Sequence, residues 1–199
     1  MALAEAVRTA GPDDWRMRVT EEAHLATAWE LVEAGDVPGT IRHLRDTADS
    51  LPTVEVARIV GQVAAMAGFD DLAGAASALV EHPEQPQARF DYGYACVERG
   101  VPFLAIPPLS AALLQVPDSH VLLTELVSAL EDECRHADAV AVLTERDAGL
   151  RPWPDRYLLV FNSVLAGDLV RARENLDGLP APDDEQWLPA HDRVQRMLD

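Results

Sequence analysis

Apolar positions along this chain recur at helical spacing in paired stretches, and each pair is divided by a short polar or glycine-containing break. Glu21 to Ala34 reads as one helix, with Thr20 as its N-cap and Glu21 and Glu22 in the first turn. Gly35 and Asp36 interrupt the pattern. Asp36 can cap the next helix, which has Pro38 in its first turn and Ile41, Leu44 and Ala48 on one face, and which stops before Pro52. A second stretch runs from Val54, breaks at Gly68-Phe69-Asp70 and ends near Pro83. A third runs from Pro86 through Gly100 to Pro117. A fourth begins after Asp118-Ser119, breaks at Cys134-Arg135-His136 and ends near Pro152, and a fifth runs from Pro154 through Gly167-Asp168 to about Leu179. No segment sustains period-2 alternation, so no sheet is expected.

The breaks keep a beat. Gly35, Gly68, Gly100, Cys134 and Gly167 are separated by 33, 32, 34 and 33 residues, and Thr40, Ala73, Ala105, Ala139 and Ala172 follow each of them by five. A fixed period of this size marks stacked supersecondary units, each too small to bury its own apolar face. The boundaries that follow are 21–53, 54–85, 86–119, 120–152 and 153–185, with a helical arm over 1–20 and a capping helix over 186–199. In the arm, Ala2–Ala10 reads as a short helix before a Gly11-Pro12 break, and Trp15 is placed to pack on the first unit. At the other end Trp187, His191, Val194 and Leu198 lie at helical spacing, as a helix covering the last unit would require. The chain stops two residues after Met197 without a polar tail, which leaves a longer parent protein open.

The third unit carries a family resemblance. Gly93, Gly100, Ala105, Leu109, Ala112 and Pro117 stand where a tetratricopeptide repeat places its first-helix glycine, turn residue, second-helix alanine, large residue, second alanine and terminal proline. Leu123, Leu126, Ala129, Leu130, Ala139 and Leu143 follow the same pattern in the fourth unit, Leu159, Gly167, Ala172 and Leu176 in the fifth, Gly61, Gly68 and Ala73 in the second, and Gly35, Leu44 and Pro52 in the first. Departures exist: Thr40 replaces an alanine, Val127 and Val160 replace the first-helix glycine, and Ser77 replaces a large residue. The Thr-Pro-Leu-His turn signature of ankyrin repeats is absent. The resemblance implies an all-α, right-handed solenoid of about five antiparallel helix pairs. Within it the small residues admit a neighbour's large side chain. Pro107-Pro108 would then fall about five residues into a second helix, where a kink or broken turn is expected, either as a tolerated irregularity or as a device shaping a pocket.

In tetratricopeptide arrays the first helix of each pair lines the concave face. Carried over to this chain, that register places Leu25, Trp29 and Glu33, then Arg58, Gln62 and Met66, then Phe90, Tyr94 and Glu98 on the face. The fourth and fifth units add Thr124, Ser128 and Asp132, and Tyr157, Phe161 and Val164. Trp29, Phe90, Tyr94, Tyr157 and Phe161 form an aromatic stripe with carboxylates nearby. It fits peptide or helix recognition, and it fits ordinary packing in a tightly wound superhelix equally well. The carboxylate clamp of repeats that bind acidic chaperone C-termini needs lysine, asparagine and arginine. The corresponding residues here are Leu25, Trp29, Ile59, Gln87 and Asp91, so a neutral or basic segment suits the face better.

Charge sharpens this picture. The 199-residue chain carries a formal net charge of −18, which argues against a nucleic-acid backbone or an anionic membrane as partner. Every basic residue is arginine, only three isoleucines and two asparagines occur, and this skew resembles the coding bias of a high-GC, bacterial genome. Cys96 and Cys134 are too far apart for a disulfide framework or metal knuckle, so no cofactor or metal is expected. There is no signal-peptide core and no apolar run of roughly 18 residues, which makes a cytoplasmic protein the default. Catalytic motifs are missing. Cys134 and His136, two apart at a turn, suggest a nucleophile pair or half a metal site, but Cys134 occupies a slot that is glycine in the other units. The other histidines are scattered without ligand spacing. The reading is therefore a non-enzymatic protein-interaction scaffold that binds a peptide segment or partner helix. Its alternative is a regulatory module sensing a small ligand or peptide within a longer protein, and self-association stays open.

Overall fold

The computed structural model describes residues 12–146, 152–177, 179 and 188–198. These are all-helical, and no strand occurs among them. The helices are α1 (Pro12–Glu33), α2 (Val37–Ser50), α3 (Thr53–Ala67), α4 (Asp70–Glu81), α5 (Pro86–Glu98), α6 (Ile106–Gln115), α7 (His120–Asp132), α8 (His136–Thr144), α9 (Tyr157–Leu165), α10 (Leu169–Asp177) and α11 (Leu188–Leu198). Short turns fold α2 back on α1, α4 on α3, α8 on α7 and α10 on α9, which is the arrangement of antiparallel pairs. The expected helix over Ala2–Ala10 and the side chains of Trp15, Trp187 and His191 lie outside the described residues.

The beat has one backbone cause. Gly35, Gly68, Gly100 and Gly167 hold φ of 69°, 78°, 72° and 81°, and Cys134 joins them at 55°. At every one of these turns the next residue's N–H returns to the carbonyl five residues earlier: Asp36 to Leu31, Phe69 to Ala64, Val101 to Cys96, Arg135 to Leu130, Asp168 to Ser163. That 6→1 bond is the Schellman closure of a helix C-terminus, and it needs a left-handed residue at the turn. The caps that follow are equally local. Asp36 Oδ1 accepts the N–H of Gly39 at 3.0 Å, and Ser119 Oγ accepts that of Leu122 at 3.3 Å.

Three local expectations need correction. No helix starts at Thr20, because α1 is continuous from Pro12 and Thr20 lies inside it. Proline is tolerated in a first turn, and no breaker follows it before Gly35. In α2 the buried face is Thr40, Leu44 and Thr47, while Ile41 is exposed and Ala48 only half-buried. The two hydroxyls can be buried because they are satisfied: Thr40 Oγ1 donates to the Asp36 carbonyl at 2.9 Å and Thr47 Oγ1 to that of His43 at 2.8 Å. The break around Pro107-Pro108 exists, but it precedes them. A 3₁₀ turn covers Pro102–Leu104, and an α-helix starts at Ile106. The prolines therefore stand in a first turn, where their missing N–H groups have no intrahelical partner to lose. Pro107 is exposed and Pro108 is buried, so the irregularity does not lie on a solvent face alone.

The chain divides into two compact units, Met1–Ala112 and Leu113–Asp199. In the first, Ile59, Val60, Leu79, Tyr92, Cys96 and Leu109 are among the fully or nearly fully buried residues. Gly93 lets α5 approach Leu109 closely: a β-carbon there would lie 2.6 Å from Leu109 Cγ. Gly61 allows a similar approach, its missing β-carbon 3.1 Å from that of Ala76. In the second unit Leu126, Val127, Leu130, Ala139 and Leu143 are buried on α7 and α8. Val194 and Leu198 of α11 close over Val160, Ala172 and Leu179, and Arg173 donates to the Leu198 carbonyl at 2.7 Å. Ala105, Ala139 and Ala172, the small residues of the beat, are each 0% exposed.

Candidate functional site

The residues of the expected face sit on α1, α3, α5, α7 and α9, and none of them is buried. Their spacing by four, or by three and four, keeps each set on one side of its helix. In the first unit Trp29 is exposed and donates its indole N–H to Glu33 Oε1 at 2.9 Å. Arg58 is engaged: its Nη1 donates to both carboxylate oxygens of Glu21 at 2.9 and 3.0 Å. Arg58 and the exposed Gln62 line one groove of about 470 Å³ between α3 and α4, floored by Gly61, Ala73 and Ala76.

A second cleft, of about 480 Å³, lies between α4 and α5 and brings together Tyr94, Glu98, Asp71, Asp91 and Arg99. Tyr94 is 45% exposed. Its ring stacks on that of Phe90, one turn earlier, at 6.0 Å and 26°. Asp91 accepts from Gln87 Nε2 at 2.7 Å. Arg99 bonds Asp71 Oδ2 at 2.6 Å, and that guanidinium holds the Asp71 carboxyl below its usual range. Three carboxylates thus surround an exposed phenol, with one cation that already has a partner. Such a cleft offers oxygen acceptors and a flat apolar ring to a cationic or neutral side chain.

In the second unit Tyr157 and Phe161 also stack, at 6.1 Å and 21°, and both pack against the cluster that α11 closes. The Arg193 guanidinium lies 5.5 Å from the Phe161 centroid, and burial raises the Tyr157 phenol above its ordinary pKa. This pair serves packing at least as much as presentation. Thr124, Ser128 and Asp132 form the polar stripe of α7, and the Thr124 hydroxyl donates to the His120 carbonyl at 2.8 Å.

Each unit also holds buried or half-buried polar groups, most of which the sequence did not single out. Asn162, fully buried, donates to Glu131 Oε1 at 2.6 Å and to the Leu158 carbonyl at 2.9 Å, and its Oδ1 lies 3.1 Å from His136 Nδ1. Burial raises the Glu131 carboxyl. His136 is therefore turned into this network, while Cys134 serves its exposed turn. Burial pushes the Cys96 thiol up to about 12, leaving no thiolate at neutral pH. Nδ1 of His120 lies 2.7 Å from Oδ2 of the buried Asp155. The His24 and His43 rings meet at 5.2 Å. Only the rarity of asparagine could have pointed to Asn162. The histidine pair joins residues 19 apart in sequence, and nothing in their local spacing announces it. Among the described residues no group of three His, Cys, Asp or Glu side chains is placed to hold a metal ion, and no helix is long and apolar enough to cross a membrane.

No protein-family model matches the sequence, and no curated protein matches it. Solved structures of MamA are similar at low identity. One of MamA AMB-1 is 18% identical, covering 89% of this chain and 96% of that chain with a TM-score of 0.47. One of MamA MSR-1 is 15% identical, covering 90% and 97% with a TM-score of 0.46. A MamA mutant is 18% identical, covering 93% and 99% with a TM-score of 0.46.

Proposed function

We propose that this protein is a non-enzymatic interaction scaffold, and that the first-helix face of its Met1–Ala112 unit receives a neutral or basic segment of a protein partner. The observation that carries this reading is the cleft between α4 and α5, where the exposed Tyr94 stands among Asp71, Asp91 and Glu98. A large amphipathic ring that is exposed while held in place by a stacked neighbour suits an interface anchor, since little rotamer freedom is lost on binding. The carboxylates favour lysine or arginine beside that anchor and disfavour phosphate or acidic peptides. Trp29 and Gln62 extend the surface along α1 and α3, and Thr124, Ser128 and Asp132 offer a more polar stretch in the second unit.

The test is affinity capture from a lysate of the native organism, read by mass spectrometry, with the wild type compared against Tyr94→Ala/Glu98→Ala. Both positions are exposed, so circular dichroism should show the variant folded. A protein recovered by the wild type and lost by the variant is the expected result. Equal recovery by both removes this cleft as the site.

A further inference from the structure

One position of the beat departs from its own rule. Leu44, Leu109, Leu143 and Leu176 stand nine residues after Gly35, Gly100, Cys134 and Gly167, and the second unit has Ser77 at that place. Leu44, Leu109 and Leu143 are buried, and Leu176 packs on the core that α11 closes, whereas Ser77 is exposed. The third unit shows what this leucine does. The branched end of Leu109 fills the space over Gly93, where a β-carbon would lie 2.6 Å from Leu109 Cγ. The second unit keeps the glycine, as Gly61, without the leucine. A β-carbon on Gly61 would come nearest Ala76 Cβ, at 3.1 Å, and Ser77 does not approach it within 4 Å. The groove of about 470 Å³ between α3 and α4 stays open here, with Gly61 and Ser77 both in its lining. Two charged residues line it. Arg58 is neutralised by Glu21, whose carboxylate oxygens its Nη1 bonds at 2.9 and 3.0 Å. Glu81 is exposed and has no partner among the described residues.

We infer that this groove docks a helix of a protein partner, which inserts a leucine-sized side chain where the second unit lacks its own and sets a lysine or arginine against Glu81. A helix is the fitting carrier, because Leu109 reaches Gly93 from a helix and small residues admit a close helical neighbour. The unpaired carboxylate sets the sign of the flanking charge, since an acidic side chain there would be repelled. Ser77 and Glu81 lie one turn apart on α4, so the leucine and the cation of the guest are also one turn apart. The inference deepens the proposed reading of the first-helix face and rests on it, because Arg58 and Gln62 belong to that face and line this groove. No lining residue is shared with the Tyr94 cleft.

Amide NMR titration of the isotope-labelled full chain tests this with three synthetic Ala/Gln helices. The first has a central leucine and a lysine one turn on, the second alanine for that leucine, and the third glutamate for that lysine. Ser77→Leu supplies the missing side chain in cis, and Ser77→Ala controls for helix propensity. The leucine/lysine helix should shift the amides of Gly61, Gln62 and Ser77 in the wild type. Ser77→Leu should bind it at least about tenfold more weakly, and the alanine helix should bind the wild type about tenfold more weakly as well. Tyr94→Ala/Glu98→Ala should change its affinity less than about twofold. Loss of a captured partner by that double variant and loss of this helix by Ser77→Leu therefore report on separate readings. With the groove filled, the thermal midpoint of Ser77→Leu should exceed that of Ser77→Ala by about 3 °C. A midpoint at or below that of Ser77→Ala overturns the inference, because the groove would then not accept a leucine. No binding to the wild type, equal binding of the alanine or glutamate helix, or unweakened binding to Ser77→Leu would each overturn it too. So would a wild-type dimer in analytical ultracentrifugation that Ser77→Leu dissolves, because the groove would then belong to a second copy of this chain.

Discussion

Cys134 adopts the left-handed turn conformation that glycine takes at the other four turns, and a β-carbon there is sterically costly. Cys134→Gly should therefore stabilise the protein by up to about 1 kcal/mol, part of the gain being offset by the freer unfolded chain. A raised urea midpoint checks this, and an unchanged or lowered one contradicts it. The His24 imidazole makes the second residue-scale prediction. Burial, then the neighbouring His43, lowers its pKa, with Asp46 opposing. The unfolded chain consequently takes up this proton first as pH falls. Stability is intact above the unfolded value of 6.5 and is lost on acidification through the depressed folded value. His24→Gln should flatten the fall in unfolding free energy between about pH 7 and about pH 5; superimposable profiles would exclude the effect. The two cases also differ in what the sequence discloses. The turn role of Cys134 is legible because four glycines share its slot. The His24–His43 contact is made by packing α1 on α2 and has no local signature.

At the scale of elements, the beat was legible because it has a single physical cause, a Schellman turn every 32 to 34 residues. Starts of helices were less so. Pro12 can open a helix as readily as end one, and a threonine inside a helix looks in sequence like a cap, so α1 was read as starting too late. The prolines at 107 and 108 signalled a break but not its side, because a first turn and a kink use the same residue. Helix contact was better marked. Gly93 faces Leu109, which is 0% exposed and has nowhere to go. Gly93→Ala should thus cost about 1–3 kcal/mol through overpacking, despite alanine's higher helix propensity. Thermal unfolding of this variant decides the point, and a rise in midpoint would mean that α5 and α6 do not meet as described.

At the scale of the molecule, a net charge of −18 is carried by a fold whose described residues are helical and present grooves between neighbouring helices. The recurring architecture could be read from the period. The acid cleft could not, because it joins residues of α4 and α5 whose meeting depends on how those two helices stack. Asp91 was named only as a position of the missing carboxylate clamp and Asp71 not as part of the face, and the packing of α4 on α5 brings both beside Tyr94. The most direct measurement is site-specific photo-crosslinking in the native cell, with a benzoylphenylalanine placed at Tyr94 and, as a comparison, at Val170, which is 70% exposed on α10. The expected result is a discrete crosslinked partner from position 94, weakened by raised salt in permeabilised cells and absent from position 170. Crosslinks from position 170 alone, or the same products from both positions, would contradict the assignment of the binding surface to the first-helix face.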